Sequence, residues 1–547
     1  MTILDNIKKD NVCSIGGQEV LPPAIPDIRY MEDRINFSKV LSGATFGIDA
    51  FLVEIETHLE KAMLAFTIVG LPDNAVKESR ERVTAAIKNC GLKFPGKKIT
   101  INMAPADMKK EGSSFDLPIA VGILAADGLI PQSQLESTIF LGELSLDGSL
   151  RPVKGALPLA VAARQKGITR VILPGESVKE ASIVDGVDVY GFRNFADLFR
   201  FLTGQLDQRP VVTDTSELFG FLNKYNLDFA DVRGQENVKR ALEVAAAGGH
   251  NILMIGPPGS GKTMLAKRLP SILPPLSFDE ALETTKIYSI AGILPRGTAL
   301  ITERPFRSPH HTVSDAAMVG GGSVPRPGEV SFAHFGVLFL DEFPEFRKNV
   351  IEVLRQPLED SVVTVSRSKM TLSFPANFML AAAMNPCPCG YYTDPSRDCR
   401  CNGNQIQKYM SKISGPLLDR IDIHIEVPAV KYKDLSSSHR GEPSEAIRDR
   451  VIRAREVQRE RFKDHKHIWN NADMGSKEVR HYCHLDEAGA SLLKTAMTRL
   501  GLSARAYDRI LKVSRTIADL EGDAHINAAH VSEAIQYRTL DRELWND

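Results

Sequence analysis

The chain has 547 residues, of which 43% are hydrophobic and 25% charged, and its formal net charge is −1. This length predicts about two to four domains, and the near-neutral charge excludes a global basic field for nucleic acid, so such binding needs a local patch. No apolar run approaches the roughly 20 residues of a membrane helix, and the N-terminus is too charged for a signal peptide. Seven cysteines in so long a chain are not a secreted disulfide framework. We therefore expect a soluble, cytoplasmic protein.

The N-terminal third of the chain is predicted to be a leader followed by an α+β domain. Residues 1–36 mix polar and proline-rich segments and predict a weakly ordered leader. The pattern then changes to short alternating elements over 37–204, followed by a polar linker at 205–228. Within the domain we expect strands at 50–56, 65–69, 98–103, 138–144 and 171–174, and helices at 74–89, 117–126 and 157–166.

This domain resembles the proteolytic fold of Lon proteases. Residues 110–116 are similar to the nucleophile loop of that family and place Ser114 at the nucleophile, while 139–153 resemble the strand pair that leads to the catalytic lysine. The lysine position itself falls on Leu157, and Lys154 lies in the turn before it. A serine hydroxyl needs an adjacent base, which leucine cannot supply. We predict a non-proteolytic scaffold, with an ATP-dependent serine protease as the alternative.

Residues 256–263 fit the phosphate-binding pattern G-x-x-x-x-G-K-[ST], between a predicted strand at 251–255 and a predicted helix at 264–269. Glycines let backbone N–H groups turn toward phosphates, and the helix N-terminus adds partial positive charge. Lys262 supplies a point charge, and the Thr263 hydroxyl can hold Mg²⁺. A chance glycine-rich turn does not account for strand, loop and helix in register. The predicted ATP-binding residues are Gly256, Pro257, Pro258, Gly259, Ser260, Gly261, Lys262 and Thr263.

Two later strands end in polar residues suited to ATP hydrolysis. The apolar run 337–340 is followed by Asp341, predicted to hold Mg²⁺, and by Glu342, predicted to act as general base on the attacking water. A further strand at 378–384 ends at Asn385. An amide there is suited to orienting the water, and the alternative is a turn, because Asn-Pro is a turn pair.

From residue 229 the chain resembles AAA+ ATPases. In that resemblance Asn385 is sensor 1, and the segment 415–422 is the arginine-finger segment, so that Arg420 reaches the nucleotide of a neighbouring subunit. A local salt bridge from Arg420 to Asp419 or Asp422 is the alternative. The segment 502–506 resembles sensor 2 and implies Arg505 on the phosphates, within a helical lid.

Two insertions resemble those of magnesium chelatase-like ATPases. Residues 304–312 and 320–322 are similar to a helix-2 insert. A helix is predicted at 349–359, and the predicted strands that follow it at 362–365 and 370–374 resemble the pre-sensor-1 hairpin. The hairpin tip carries Arg367 and Lys369, which in a ring could contact DNA phosphates in the pore. A solvated tip is the alternative. For His310 and His311 we expect a structural or subunit-contact role instead of metal binding.

Four of the seven cysteines lie close together after Asn385. Two Cys-x-Cys pairs separated by a short loop can form one tetrahedral thiolate site, which suits zinc in a reducing compartment. Such a closed site is structural. The predicted ligands are Cys387, Cys389, Cys399 and Cys401, and four unligated thiols are the alternative.

Taken together, these features are similar to the YifB/ComM family of magnesium chelatase-like bacterial proteins, over nearly the whole chain. The resemblance implies a multidomain α/β protein with a Lon-like domain, an AAA+ core at 229–435 and a helical lid domain at 436–547. It implies a hexameric, ATP-driven and Mg²⁺-dependent DNA motor, a branch-migration helicase that serves recombination or the integration of transforming DNA. The alternatives are a metal-chelatase subunit and a protein-remodelling ATPase.

Overall fold

The computed structural model describes residues 36–110, 112–215, 227–322, 324–367, 370–392, 394, 397–430, 440–465, 468–538 and 540. The predicted leader lies outside these residues apart from residue 36, and so does Lys369. The chain forms two compact units, one of 36–42, 53–149 and 194–207, and the other of 43–52, 150–193 and the described residues from 208 onward. The domain boundaries predicted from sequence remain predictions.

Short strands and helices alternate from residue 36 to residue 215. The strands are β1 (Phe37–Phe46), β2 (Asp49–Glu60), β3 (Ala65–Val69), β4 (Lys98–Ala104), β5 (Thr138–Phe140), β6 (Glu143–Leu144), β7 (Leu150–Arg151), β8 (Arg170–Pro174) and β9 (Asp188–Phe192). The helices are α1 (Asn74–Lys77), α2 (Ser79–Asn89), α3 (Asp116–Ala126), α4 (Ala156–Gln165), α5 (Val178–Ala181) and α6 (Phe195–Leu202).

In the first unit, β4 pairs antiparallel with β2 and parallel with β3, so that Ile101 faces Thr57 on one side and Ile68 on the other. Alternate residues of β4 are buried, which places one face of the sheet against a core. The helix α3 is buried along almost its whole length, as its continuous apolar sequence predicts.

The helix predicted at 74–89 is interrupted at Glu78 and forms the two helices α1 and α2. The guanidinium of Arg82 donates a hydrogen bond of 2.9 Å to the carbonyl oxygen of Ala75, within the short first helix. Because that oxygen would otherwise accept the next helical bond, the side chain competes with continuation of the helix. The prediction of one helix was therefore wrong.

The central region contains the remaining strands of the described chain. They are β10 (Ile252–Ile255), β11 (Phe306–Arg307), β12 (Gly320–Gly321), β13 (Arg326–Pro327), β14 (Val337–Leu340), β15 (Val362–Arg367), β16 (Met370–Pro375), β17 (Met379–Met384) and β18 (Ile423–Glu426). The helices are α7 (Glu236–Gly248), α8 (Lys262–Ile272), α9 (Phe278–Ala291), α10 (Asp315–Val319), α11 (Glu329–Phe332), α12 (Lys348–Glu352), α13 (Arg355–Asp360), α14 (Gly403–Met410) and α15 (Gly415–Leu418).

Five strands form one parallel sheet in the order β11-β14-β17-β10-β18. Every residue of β10, β14 and β17 is buried, which is typical of parallel strands covered on both faces. Successive residues of β10 contribute to different apolar clusters: Ile252 and Met254 to one, Leu253 and Ile255 to the other. The sheet therefore separates two layers of hydrophobic core.

The helix predicted at 349–359 is also two helices, α12 and α13. Pro357 lies in the second of them. Proline lacks a backbone N–H, and its ring clashes with the carbonyl group four residues earlier, which here belongs to Val353. The break between the helices occurs at that position, so the prediction of a continuous helix was wrong.

The C-terminal region is helical, as its periodicity predicts. Its helices are α16 (Ser444–Arg461), α17 (Ser476–Tyr482), α18 (Glu487–Leu500), α19 (Ala504–Glu521) and α20 (Ala528–Gln536). Apolar residues of these helices join the cluster on one face of the five-stranded sheet, for example Val451 and Ile517. Among the described residues, every helix is too short or too polar to span a bilayer.

Candidate active site

The parallel register of the sheet brings three predicted motifs to one edge. Ile255 at the end of β10 is paired with Met384 at the end of β17, and Leu340 at the end of β14 is paired with Ala382. The residues that follow these strands therefore leave the sheet side by side. The carboxyl edge of a parallel sheet, where neighbouring connections diverge, is the usual ligand site of such folds.

The phosphate-loop pattern connects β10 to α8, which begins at Lys262. Gly259 and Gly261 have φ values of +78° and +91°, in the left-handed region that favours glycine. A side chain at Gly256 would overlap the carbonyl oxygen of Val427, so the loop packs directly on the backbone after β18. The two glycines that the pattern requires, Gly256 and Gly261, thus have a steric reason.

The Lys262 ammonium group is buried inside this loop. Its Nζ donates hydrogen bonds of 2.7 Å to the carbonyl oxygen of Gly256 and 2.9 Å to that of Pro257, and it lies 3.3 Å from Oδ1 of Asn385. Burial lowers the pKa of Lys262 to about 8, against the opposing attraction of Asp341. Because burial destabilises the positive charge of this ammonium group, a bound anion would stabilise it.

The residues predicted to hold Mg²⁺ contact each other. The Thr263 hydroxyl donates a hydrogen bond of 2.6 Å to Oδ2 of Asp341, which follows β14. Glu342 comes next, with an exposed side chain and a φ of +52°, a left-handed conformation that is uncommon outside glycine. A hydroxyl and a carboxylate oxygen are ligands that Mg²⁺ prefers, so this pair fits the ion.

His311 contacts the predicted general base, a role that our sequence interpretation missed. Its Nδ1 lies 3.5 Å from Oε2 of Glu342, and its ring lies 4.1 Å from that of His310. Strand register explains this contact. Arg307 of β11 pairs with Leu338 of β14, and His311 and Glu342 each lie four positions after these paired residues. Only knowledge that β11 and β14 are neighbours could have revealed the contact.

Gln235 ties the phosphate loop to the end of the sheet. Its Nε2 donates to the carbonyl oxygens of Ser260 at 2.8 Å and Pro428 at 3.0 Å. Its Oε1 is buried, and no described residue donates to it. An orphaned buried acceptor beside a phosphate loop suits a ligand that carries an amino group, as the adenine of ATP does. Gln235 is therefore a candidate contact for the base.

The two predicted catalytic arginines lie close together, near the start of β18. Arg420 donates a hydrogen bond of 2.7 Å to the carbonyl oxygen of Pro416 and forms an ion pair with Glu359. Arg505, at the start of α19, lies 3.6 Å from Asp419, the residue before Arg420. The partner of Arg420 is thus Glu359, not one of the aspartates considered from sequence.

Asp422 links the five-stranded sheet to the C-terminal helices. It forms an ion pair with Arg509 of α19, and its Oδ2 lies 3.2 Å from Nδ1 of His250 and accepts the N–H of Asn251 at 3.3 Å. Burial alone would raise the pKa of Asp422, but Arg509 and His250 hold it below its usual range. This buried charge is therefore stable only because its partners lie on both sides.

The predicted DNA-contacting hairpin is present as β15 and β16, which pair antiparallel up to Arg367 and Met370. Nε of Arg367 donates a hydrogen bond of 3.3 Å to the carbonyl oxygen of Gly322, in the glycine-rich part of the predicted insert. The two insertions therefore meet at this arginine. Lys369 lies outside the described residues.

Comparison with known proteins agrees with this geometry. Residues 228–435 match the family described as magnesium chelatase, subunit ChlI, and 441–538 match its C-terminal part. The chain is 46% identical over 508 residues to competence protein ComM of Haemophilus influenzae, covering 92% of this chain and 98% of that protein. It is 42% identical over 512 residues to YifB of Escherichia coli, covering 93% and 98%. The chain belongs to the YifB/ComM family. Membership in this magnesium chelatase-like family supports an AAA+ ATPase.

The N-terminal part of this YifB/ComM-family chain has a second, partial likeness. Residues 55–177 match the family described as subunit ChlI of Mg-chelatase. The chain is also 31% identical over 125 residues to Lon protease 2 of Bacillus subtilis, which covers 22% of each protein. The similarity to Lon proteases is therefore real but weak and confined to a small part of the chain.

The position at which the Lon-like resemblance expects a catalytic lysine holds a buried leucine. Ser114 lies in a turn of 3₁₀-helix before α3, and its carbonyl oxygen accepts the N–H of Gly142 at 2.9 Å, which interrupts the strand predicted at 138–144. Leu157, at the expected position of the base, is completely buried in α4. The side chain of Lys154 packs against Gly292, the residue that ends α9.

The four clustered cysteines of this family member are arranged as a metal site requires. The Sγ atom of Cys387 lies 3.3 Å from that of Cys389 and 3.7 Å from that of Cys399. All four Sγ atoms, including that of Cys401, lie within 4.8 Å of one another. A zinc ion with bonds of about 2.3 Å to four sulfurs separates them by about 3.8 Å. Backbone N–H groups, that of Tyr391 first, lower the pKa of Cys389 to about 6, whereas the pKa of Cys399 and that of Cys401 are raised beside the other thiols, so Cys389 is the first to form a thiolate.

A second cluster, of Glu521, Asp523 and His530, has a different chemistry. His530 Nδ1 accepts the backbone N–H of Asn527 at 3.1 Å, so the ring proton belongs on Nε2. Nε2 lies 2.9 Å from Oε2 of Glu521 and 3.4 Å from Oδ2 of Asp523, to which it can donate. The ring therefore offers no nitrogen lone pair to a cation, and its Nδ1 completes the N-terminal cap of α20.

Proposed function

We propose that the protein is an ATP-hydrolysing ring motor that acts on branched or single-stranded DNA, a branch-migration helicase of recombination or of the integration of transforming DNA. The observation that carries the proposal is the convergence of Lys262, Asp341 and Asn385 at one edge of the sheet, beside two insertions that meet at Arg367. The name of the Haemophilus relative, a competence protein, supports the biological setting.

In the proposed reaction, the loop amides and Lys262 bind the phosphates of ATP. Thr263 and Asp341 would hold Mg²⁺, which supplies positive charge to the phosphate oxygens. Glu342 accepts a proton from the attacking water at its carboxylate, and Asn385 orients that water through its amide. His311, 3.5 Å from Glu342, positions the carboxylate before it acts.

The two remaining arginines are proposed to act on the ATP of a neighbouring subunit, in a hexameric ring. Arg420 and Arg505 lie near each other beside Asp419, so that one surface presents both. A ring places such a surface of each subunit against the nucleotide site of the next, because head-to-tail contacts close on themselves. To contact the ATP of the neighbouring subunit, Arg420 would then leave its ion pair with Glu359 of its own subunit.

The arginines can be tested by mixing inactive subunits. Glu342→Gln and Arg420→Ala rings should each hydrolyse ATP poorly, whereas a random mixture should recover about a quarter of the wild-type rate, because a fraction of interfaces combines an intact Glu342 with an intact neighbouring arginine. The same holds for Arg505→Ala in place of Arg420→Ala. A mixture as inactive as its components would place the arginines on their own subunit's nucleotide.

The DNA role is tested by steady-state ATP hydrolysis without DNA and with single strands, duplex and a four-way junction, using Glu342→Gln as the blank. We expect DNA to stimulate hydrolysis, and this stimulation should be weaker in Arg367→Ala and should decrease with salt. Each phosphate contact that is lost lowers the slope of log affinity against log salt concentration by about one. The matched control is Arg480→Ala, which removes an exposed charge from α17. Equal rates on all substrates would favour a protein-remodelling or chelatase-like role.

Two further assignments complete the proposal. We assign a structural zinc ion to Cys387, Cys389, Cys399 and Cys401, on the strength of their sulfur separations. We assign to the Lon-like domain a scaffold role without peptidase activity, because Leu157 occupies the position of the base. Metal analysis of the purified protein tests the first assignment, and the Ser114 variant discussed below tests the second.

A further inference from the structure

The loop that carries the four cysteines packs directly on the phosphate loop. Gly390 lies in the left-handed region, with a φ of +87°. A Cβ atom on this residue would lie 2.5 Å from Cδ and 2.7 Å from Cγ of Pro258, the third residue of the phosphate loop. Such distances are far inside van der Waals contact, so only a residue without a side chain lets the two loops approach this closely.

The same turn is held by sulfur. The backbone N–H of Gly390 donates to Sγ of Cys387 at 3.2 Å, and that of Tyr392 donates to the same atom at 3.4 Å. Cys387 is completely buried. A metal ion on this sulfur would therefore fix the conformation of the turn that contacts Pro258, because ligand and turn share one atom.

The cysteine loop also begins at the nucleotide site. Asn385, whose Oδ1 lies 3.3 Å from Nζ of Lys262, precedes Cys387 by two residues. The loop thus contacts the proposed ATP site at two points, through the amide of Asn385 and through the backbone of Gly390. These two contacts lie before and after Cys387 in the chain. A conformational change of the loop at the cysteines should therefore also change its contacts with the phosphate loop.

We propose that metal binding at the four cysteines is energetically coupled to nucleotide binding. A metal-loaded cysteine loop holds Gly390 against Pro258 and Asn385 beside Lys262, and so presents a phosphate loop already ordered for ATP. Linkage then requires the reverse effect, in which ATP strengthens retention of the metal by the same factor. The proposal rests on the assignment of residues 256–263 to ATP and of the cysteines to zinc.

The coupling is measured as two equilibria on the full-length protein. The dissociation constant of a fluorescent ATP analogue is determined for zinc-loaded protein and for protein stripped by a chelator under reducing conditions. Zinc retention is then determined against a chromophoric chelator, with and without a non-hydrolysable ATP analogue. We expect zinc to tighten nucleotide binding about tenfold, within the usual range of such couplings, and the analogue to tighten zinc binding by an equal factor.

A pair of glycine variants separates the contact from general damage. Gly390→Ala keeps all four cysteines but forces the loops apart, so its zinc-loaded form should bind the analogue as weakly as stripped wild type. The matched control is Gly403→Ala, two residues after Cys401, where an added Cβ meets no described atom within 4 Å. This control should show the wild-type coupling.

Pro258→Ala approaches the same contact from the other side. It removes the ring carbons that Gly390 faces and leaves the cysteine loop untouched, so it should retain zinc and lose the coupling. Equal nucleotide affinity of the zinc-loaded and stripped wild-type protein would overturn the coupling while leaving the ATPase assignment intact. Failure of both forms to bind the analogue would instead overturn the proposed function, and failure of the wild type to take up zinc would overturn the metal assignment.

Discussion

The phosphate loop and the Lon-like nucleophile loop both present a hydroxyl side chain near the N-terminus of a helix, but their surroundings differ. Thr263 donates to Asp341 at 2.6 Å, and its neighbour Lys262 lies 3.3 Å from Asn385. For Ser114, the expected base position holds Leu157, buried in α4. The comparison teaches that a hydroxyl in a catalytic-looking turn acquires a function only from the side chains that other elements bring to it.

The largest expected effect is at the nucleotide edge. Glu342→Gln keeps the size of the side chain but removes its basicity, and we expect turnover to fall by about 10²–10⁴-fold while ATP binding is retained. Steady-state hydrolysis and binding of a fluorescent analogue measure the two effects. Glu345→Gln, also exposed and three residues away, is the control and should hydrolyse ATP normally. Undiminished turnover in Glu342→Gln would remove this residue from the mechanism.

The next effect concerns the opposite edge of the sheet, where Asp422 precedes β18 and forms an ion pair with Arg509 of α19. Asp422→Asn leaves Arg509 and His250 without their charged partner, and we expect a loss of about 3–5 kcal/mol in the free energy of unfolding. Asp419→Asn, whose partner Arg505 is exposed, should cost less than about 1 kcal/mol. Urea denaturation distinguishes the two, and equal costs would show that the Asp422 network contributes little.

The same substitution alters the response to acid. The pKa of Asp422 is held below its unfolded value, so its contribution to stability is complete above about pH 4 and is lost as the pH falls through the folded-state pKa. Wild-type stability should therefore decline more steeply on acidification than that of Asp422→Asn. Denaturation midpoints between neutral pH and pH 3 check this, and parallel declines would exclude Asp422 as the titrating group.

A smaller, graded effect is expected from Lys262. Burial lowers its pKa to about 8, and bound phosphates favour its charged form, so ATP binding takes up a proton above that pH. Affinity should be level below about pH 8 and fall by up to about tenfold per pH unit above it. Lys262→Arg, which remains charged, should bind more weakly at every pH but without this slope. A wild-type affinity for ATP that is independent of pH up to 10 would contradict the lowered pKa of Lys262.

The smallest effect is expected at the nucleophile loop. Ser114→Ala should change ATP hydrolysis by less than about twofold and leave peptide hydrolysis at background, because a serine without a base is a poor nucleophile. The neighbouring Ser113→Ala, whose hydroxyl bonds to Glu143, serves as the control for loop damage. Peptide cleavage by wild type that disappears in Ser114→Ala would restore the protease hypothesis.

Sequence reasoning identified the motifs that meet at the carboxyl edge of the sheet because their signals are local. A phosphate loop, an Asp-Glu pair and an asparagine each follow an apolar run, and parallel strands bring such ends together whatever the distance along the chain. The contact of His311 with Glu342 depends on which strands are neighbours, and the position of Arg505 beside Asp419 depends on how α19 packs. Neither contact can be predicted from the spacing of residues in the sequence.

The breaks in two predicted helices show another limit. The interruption at Glu78 follows from a hydrogen bond between Arg82 and the backbone of Ala75, which periodicity does not reveal. The break near Val353 was open to prediction, since Pro357 four residues later is incompatible with a continuous helix. Apolar periodicity therefore identifies helical regions more reliably than it identifies where a helix pauses.

The apolar cluster on one face of the five-stranded sheet has a mechanical consequence. It contains Met254 and Phe339 of the strands together with Val451 of α16 and Ile517 of α19. Amides of the sheet and of these helices should then exchange with deuterium through one shared opening, not two. A displacement that begins at the phosphate loop should therefore be transmitted directly to the C-terminal helices through this shared core.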